Sequence, residues 1–152
     1  MDVGLISDTH GLLRPEAVAA LARSHLIVHA GDVGRPEVLD QLRDIAPTYA
    51  VRGNIDTQAW ARKLPATEAV AVGPLVLWVL HDRSELDLDP AAAQFAAVIF
   101  GHSHKPSIET QNGVLYVNPG SAGPRRFRLP VTVARLRIVG TVIVPNIIEL
   151  DV

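Results

Sequence analysis

Small clusters of acidic, amide and imidazole side chains follow five apolar runs in this 152-residue sequence. The first cluster holds Asp8 and His10, and the last holds His102 and His104, so each places two donors two residues apart. In extended chain, alternate side chains point to the same side, so each pair can offer two donor atoms to one location. Such oxygen and nitrogen donors suit Mn²⁺, Fe²⁺ or Zn²⁺. The spacing therefore indicates a metal site.

The other three clusters contribute Asp32, Asn54 and His81. In open α/β sheets, ligands bind beyond the carboxyl ends of the strands, so five clusters at strand ends can share one rim. Seven candidates exceed the three or four protein ligands of a single zinc ion, which favours two ions about 3.5–4 Å apart, bridged by one carboxylate. The spacing alone leaves open which carboxylate bridges. The seven candidates are Asp8, His10, Asp32, Asn54, His81, His102 and His104.

Alternating strands and helices in the first half of the chain must position these side chains. Apolar runs predict strands at residues 3–7, 26–30 and 48–52. Proline at a first turn and helical spacing of apolar residues predict one helix from Pro15 and another over 36–45. This order predicts a parallel sheet with right-handed crossovers.

The second half predicts three hairpins, one short helix and one further strand. The strongest signal is Asn112-Gly113, a dipeptide typical of tight hairpin turns. With no internal repeat or linker, the sequence predicts a single domain over residues 1–152, an α/β sandwich of two sheets with helices on the outer faces. The hairpins pair 68–72 with 75–80, 107–111 with 114–118 and 132–139 with 141–148, the helix spans 91–97, and the strand spans 98–100.

The composition excludes several classes of protein. Hydrophobic residues make up 48% and charged residues 20%, which is not the balance of a disordered chain. The net charge of −2 is too small for nucleic-acid or membrane-surface binding by bulk charge, and the absence of cysteine excludes thiolate zinc sites. No apolar stretch approaches the roughly 20 residues that a membrane-spanning helix needs. Asp8 and His10 interrupt the first apolar run, which argues against a signal peptide. We expect a cytoplasmic protein with no membrane partner.

These motifs, taken in order, resemble those of the calcineurin-like metallophosphoesterase superfamily. The short length and the segments 53–56 (Gly-Asn-Ile-Asp) and 118–121 (Asn-Pro-Gly-Ser) are similar to its small phosphodiesterase subgroup, often called the YfcE type, which the Vps29 proteins also resemble. The resemblance covers most of the chain. The matching motifs are Asp8-x-His10, Gly31-Asp32, Gly53-Asn54, His81 and Gly101-His102-Ser103-His104.

The resemblance implies a four-layer α/β/β/α sandwich, with two mixed sheets flanked by helices, and a metal-dependent phosphodiesterase. It implies hydrolysis of a small phosphodiester by a metal-bound hydroxide, with Asp32 and Asn54 as catalytic residues and Asn54 also donating to the phosphate. Mn²⁺ is the expected ion, with Fe²⁺, Zn²⁺ and Ni²⁺ as alternatives. By the resemblance, Asp8, His10, Asp32 and His104 hold one ion, while Asp32, Asn54, His81 and His102 hold the other, with Asp32 as the bridge.

Two residues depart from the family pattern. Ile55 stands where the larger superfamily commonly has a histidine thought to protonate the leaving group, and isoleucine carries no proton to give. This departure predicts a preference for phosphoesters with good leaving groups. Asp82 stands where glycine is usual, which puts charge beside His81.

A metal-binding, Vps29-like interaction scaffold with little catalysis is the second hypothesis, and the intact ligand set favours the enzyme over it. A nuclease is a third, favoured only if the basic loop that contains Arg125, Arg126 and Arg128 lies on the metal rim. Arg125 and Arg126 are the candidate substrate-binding residues, with an ordinary solvated loop as the alternative. The apolar stretch 142–148 can form either core or an edge strand in a homo-oligomer.

Overall fold

A computed structural model describes residues 1–152 and contains ten strands and two α-helices. Several predicted strands are found with unchanged bounds, and the others differ at their ends by one or two residues. In chain order the elements are β1 (Asp2–Ile6), α1 (Pro15–Leu21), β2 (Leu26–His29), α2 (Pro36–Arg43), β3 (Thr48–Ala50), β4 (Thr67–Val72), β5 (Leu75–Leu80), β6 (Ala97–Ile99), β7 (Ser107–Gln111), β8 (Val114–Asn118), β9 (Thr132–Val139) and β10 (Val142–Glu149).

The strands form two five-stranded mixed sheets, which confirms the predicted fold class. The first sheet has the order β10-β9-β1-β2-β3 and the second has the order β4-β5-β6-β8-β7. β1, β2 and β3 are parallel, as are β5, β6 and β8. The three predicted hairpins are the antiparallel pairs β4·β5, β7·β8 and β9·β10. Each sheet therefore presents three parallel strand ends along one edge.

Apolar side chains from both sheets meet between them in a common core. Leu5 and Val28 of the first sheet belong to one buried cluster with Leu77, Val79 and Ile99 of the second. Burying each such side chain contributes about 1.5–3 kcal/mol to folding. This packing holds the two sets of strand ends at a fixed distance from each other.

The two α-helices cover the outer face of the first sheet. Each begins with a proline in its first turn, where the missing N–H group is not needed. Leu21 of α1 and Leu42 of α2 are buried against Ile6 and Ile27 of the sheet. α2 ends at Arg43, two residues before the predicted end at residue 45, with Asp44 as its C-cap.

The short helix predicted over residues 91–97 is wrong. Residues 90–94 form turns, and Asp89 caps them by accepting hydrogen bonds from the backbone of Ala91 and Ala92. Gln94 has a φ of 63°, which ends any helical path, and Ala97 already pairs with Leu77 of β5. Strand pairing thus replaces the helix here, and loop residues cover this face of the second sheet.

β10 lies at the free edge of the first sheet. Val142 and Val144 on this strand are 61% and 57% exposed, whereas Ile143 and Ile147 pack against the core. A homo-oligomer through these strands stays a prediction. Neither α-helix is long and apolar enough to cross a membrane. The cytoplasmic location also stays a prediction.

Candidate metal centre

The carboxyl ends of four parallel strands, two from each sheet, bring acidic and imidazole side chains together. The loops that leave these ends are tied to one another, since the N–H of Asp8 donates to the carbonyl of Gly31 and that of Gly101 donates to the carbonyl of His81. The packed sheets therefore bring segments that are distant in sequence to one rim. Asp8 and His10 follow β1, Asp32 follows β2, His81 follows β5, and His102 and His104 follow β6.

Asp8 is fully buried, and its two carboxylate oxygens have different surroundings. Oδ2 accepts hydrogen bonds from the Ser7 hydroxyl (2.6 Å) and the His102 backbone N–H (3.1 Å). Oδ1 accepts none, and it lies 3.4 Å from Nε2 of His104 and 3.8 Å from Nε2 of His10. Burial alone would raise the pKa of Asp8, but the His10 imidazole and the Ser7 hydroxyl lower it below its usual value. Asp8 is therefore an anion with one oxygen free to bind.

Asp32 occupies the middle of the cluster. Its Oδ1 accepts a hydrogen bond from the Ile55 backbone N–H at 3.0 Å. Its Oδ2 lies 3.3 Å from Nε2 of His81 and 3.6 Å from Nε2 of His10. Burial alone would raise the pKa of Asp32, but the nearby His81 imidazole and the Ile55 N–H outweigh burial and lower that pKa. One carboxylate oxygen thus faces imidazoles from both sides of the cluster.

A backbone carbonyl selects the tautomer that His81 has when its ring is neutral. Its Nδ1 lies 2.7 Å from the Ala30 carbonyl oxygen, so Nδ1 carries the hydrogen and Nε2 points to Asp8 and Asp32. A backbone partner of this kind is typical of metal-binding histidines. Burial lowers the pKa of His81, but the two carboxylates outweigh burial and raise it to about 9. The carboxylates therefore favour a positive charge at this position.

Four buried atoms in the cluster have no hydrogen-bond partner. Whether a metal ion would satisfy these atoms tests whether the residues fit a metal. Buried polar atoms are nearly always paired, and leaving one unpaired costs about 1–3 kcal/mol. Here the donors also form two groups whose ligand atoms all lie within 4.8 Å of one another, Asp8–His10–His104 and Asp8–Asp32–His81. A divalent cation satisfies such atoms, so the residues fit a metal. The unpaired atoms are Asp8 Oδ1, His10 Nε2, His81 Nε2 and His104 Nδ1.

The backbone at the cluster is strained in a consistent way. Five of the seven candidate ligands have positive φ angles, a region that costs a non-glycine residue about 1–2 kcal/mol. Strain of this kind collects at functional sites, where the surrounding structure enforces it. The five are Asp8 (55°), His10 (47°), Asp32 (55°), His102 (72°) and His104 (64°).

Two glycines allow the loops to approach the carboxylates closely. A Cβ atom on Gly53 would collide with the Asp32 side chain, and its distance to Cγ would be 2.8 Å. A Cβ atom on Gly101 would lie 2.6 Å from Oδ2 of Asp8. A larger residue at position 53 would displace the Asp32 carboxylate, and one at position 101 would displace Ser7 and the Asp8 carboxylate.

Asn54 and His102 border a cavity next to the cluster. Both line a cavity of about 210 Å³ together with His81 and Asp82. The His102 side chain is 47% exposed, and its Nε2 lies 3.7 Å from Oδ2 of Asp82. The structure therefore brings five of the seven candidates into contact distance and leaves two on the adjoining rim.

Asp56 links two loops of the cluster through backbone hydrogen bonds. Its buried carboxylate accepts three backbone hydrogen bonds, from Val33 (3.1 Å), Gly34 (3.0 Å) and Gly53 (2.9 Å). It thus ties the loop after Asp32 to the loop that carries Asn54. Its place two residues after Asn54 was the only sequence signal.

Two residues that the sequence did not single out as site residues support the loop after β6 and the loop after β1. Asn118 Nδ2 donates to the Gly101 carbonyl (3.0 Å) and to the Ser103 hydroxyl (3.1 Å). The Ser121 hydroxyl donates to the Asp8 carbonyl at 3.0 Å. Both lie in the segment 118–121, which had carried only the family resemblance.

The comparison with protein families assigns this chain to one superfamily. Residues 1–141 match the model of the calcineurin-like phosphoesterase superfamily domain. A probable metallophosphoesterase of Methanocaldococcus jannaschii is 36% identical over 134 residues, which cover 80% of this chain and 68% of that protein. The chain therefore belongs to the calcineurin-like phosphoesterase superfamily.

Solved structures with the same fold include phosphoesterases and Vps29 proteins. An archaeal phosphodiesterase has a TM-score of 0.80 and 22% identity, covering 97% of this chain and 100% of that one. Vps29 of Chaetomium thermophilum has a TM-score of 0.80 and 16% identity, covering 99% and 95%. The E. coli phosphoesterase YfcE has a TM-score of 0.71 and 20% identity, covering 99% and 100%. At these identities the likeness shows the fold alone.

Proposed function

We propose that this protein is a phosphodiesterase that uses two divalent cations, with Mn²⁺ as the expected ion. The observation that supports this most is the set of buried, unpaired donor atoms that converge between the two sheets. Divalent ions supply Lewis acidity, which acidifies water and neutralises charge on a phosphate.

Each of the seven candidates has a distinct part in this proposal. Asp32 is the shared ligand, because its Oδ2 faces both His10 and His81. The Ala30 carbonyl keeps the lone pair of His81 on Nε2, towards the cluster. The exposed Asn54 amide borders the cavity and is free to donate to a phosphate oxygen. One ion would be held by Asp8, His10, Asp32 and His104, and the other by Asp32, Asn54, His81 and His102.

The leaving group receives no proton from Ile55. This side chain is 41% exposed, and it has no acidic hydrogen. With no acid at this position, we expect a preference for diesters with acidic leaving groups. Aryl phosphodiesters are the best test substrates for this reason.

The experiment compares metal content with turnover in matched variants. Protein stripped of metal and reloaded with Mn²⁺ is assayed on 4-nitrophenyl methyl phosphate, and bound metal is counted by mass spectrometry. Asp32→Asn should lower kcat/KM by at least about 100-fold and reduce the bound metal, because it weakens both ion positions. The control, Asp40→Asn, changes the same group at a surface position that is 72% exposed on α2.

The Vps29-like scaffold is the second candidate function, since Vps29 structures share the fold. It predicts metal binding without Mn²⁺-dependent turnover. If the wild-type rate with Mn²⁺ does not exceed that of Asp32→Asn, the phosphodiesterase proposal fails and the scaffold takes its place.

A further inference from the structure

The basic loop between Pro124 and Pro130 lies against the metal centre. A cavity of about 150 Å³ is lined by the candidate ligands His10 and His104 on one side and by Pro124, Arg125 and Arg126 on the other. The loop therefore borders the donors that would hold one ion.

A larger groove also borders Arg126. It has a volume of about 940 Å³, and Arg126 lines both this groove and the smaller cavity. A groove of this size accommodates a nucleotide-sized group. It is lined by Ser103, Lys105, Arg126, Phe127, Arg128 and Leu129.

Three cationic side chains of the groove are free to bind an anion. Lys105, Arg126 and Arg128 are exposed, and none of them forms an ion pair or a side-chain hydrogen bond within the protein. Arg125 differs, because it donates to the carbonyls of Leu129 (3.3 Å) and Val152 (3.1 Å). Arg125 thus anchors the loop, and the other three give the groove its charge.

Phe127 projects from the tip of this loop. It is 89% exposed, more than any other large apolar side chain of the protein. A turn closed by the Leu129 N–H and the Arg126 carbonyl (3.1 Å) holds it there, with a φ of 55°. An exposed aromatic ring among unpaired cations is the combination that single-stranded nucleic-acid sites use, since bases stack on the ring and phosphates meet the cations.

We infer that the substrate class is a single-stranded oligonucleotide, with a base stacked on Phe127 and the next phosphate along the strand in contact with Arg126, Arg128 and Lys105. This inference rests on the proposed function, because the scissile phosphate must lie at the metal centre. Water adds to that phosphorus, the bond to the leaving oxygen breaks, and a phosphomonoester, an alcohol or phenolate and the displaced proton result. The near-neutral net charge does not oppose this, because the cations are local to the groove.

The test uses three Mn²⁺-dependent substrates with the same leaving group, 4-nitrophenol. They are the 4-nitrophenyl esters of methyl phosphate, of thymidine 5′-phosphate and of 5′-phosphorylated dithymidylate. The first lacks both base and second phosphate, the second adds a nucleoside with its base, and the third adds the next phosphate together with a second thymidine. For wild-type protein, kcat/KM should rise at each addition.

The loop variants should each remove one of these gains. Phe127→Ala should lower the ratio of kcat/KM for the thymidine ester to that for the methyl ester by about 5- to 10-fold, the lower range for loss of one base stack. Phe127→Trp should keep the ratio. Arg128→Gln should remove the gain from the second phosphate and reduce the slope of log(kcat/KM) against log[NaCl] by about 0.7. Val144→Ala and Arg23→Gln, exposed positions outside the groove, are the controls.

The outcomes separate this inference from the proposed function. If the methyl ester is hydrolysed but the ratios are the same in wild type, Phe127→Ala and Arg128→Gln, the oligonucleotide inference is overturned and the phosphodiesterase stands. If Mn²⁺-loaded protein hydrolyses none of the three esters, the proposed function itself fails and the inference falls with it.

Discussion

Oδ2 of Asp32 lies 3.3 Å from Nε2 of His81, although the two residues follow strands of different sheets. The contact forms only because Leu5, Val28, Leu77 and Val79 pack between the sheets and hold their edges together. The site is therefore a product of the same burial that stabilises the fold. Changes that shift one loop by about an ångström should affect metal binding before they affect folding.

The close approach of Gly53 to Asp32 gives a steric prediction. Gly53→Ala should weaken Mn²⁺ binding by more than about 10-fold, because the new Cβ would displace the Asp32 carboxylate. The Mn²⁺ affinity is measured by isothermal titration calorimetry. Gly73→Ala is the control, since nothing lies within 4 Å of a Cβ there, and its φ of +57° should cost only about 1 kcal/mol of stability. Equal Mn²⁺ affinity in the two variants would contradict the prediction.

Buried His29 predicts a pH dependence of stability. It lies 3.0 Å from the Thr9 hydroxyl and accepts a hydrogen bond from the Gly31 N–H, and burial lowers its pKa from 6.5 to about 4. Between these pH values the unfolded chain binds a proton that the folded protein does not. The free energy of unfolding should therefore fall as the pH falls from 6.5 to 4, with His29 contributing at most about 3 kcal/mol.

Denaturant unfolding in EDTA at several pH values measures this effect. His29→Gln should show a shallower fall in unfolding free energy over that window than wild type does. His25→Gln is the matched control, because His25 is exposed at the start of β2 and accepts only the Asp2 N–H. Parallel curves for wild type and His29→Gln would show that His29 does not titrate on unfolding.

Ile55 predicts a strong dependence on the leaving group. Because it supplies no proton, log kcat for a series of aryl methyl phosphodiesters should fall steeply as the pKa of the phenol rises. Ile55→His should flatten this dependence and favour the poorer leaving groups, since a positioned acid contributes about 10²-fold or more. Ile55→Gln, a polar residue with no acidic proton, is the control. Equal rates across the series for wild type would argue against an unprotonated leaving group.

Local sequence patterns predicted much of the fold. Apolar runs bounded by turn residues placed the strands 75–80, 107–111, 114–118 and 132–139, all found with those bounds. The pattern failed at residues 91–97, where alanines favour a helix but Ala97 pairs in the sheet. The intrinsic helix preference of alanine is weak enough that strand pairing overrides it.

The sequence also predicted the chemistry of the site, because metal-binding side chains that directly follow apolar runs indicate a ligand-binding edge of the sheet. Five of the seven candidates are indeed in contact distance: Asp8, His10, Asp32, His81 and His104. The support from Asp56 was not readable, since its three N–H partners come from residues 33, 34 and 53, and no local pattern links them.

Residue types and their order along the chain, being properties of short segments, were enough to predict the strands and the donor set. Two other features depended on how the two sheets pack. One is which oxygen of Asp8 stays unpaired. The other is the cavity through which the Arg126–Arg128 turn borders His104. Contacts between distant segments arise from the burial of side chains on both sheets at once, and no single segment carries that information.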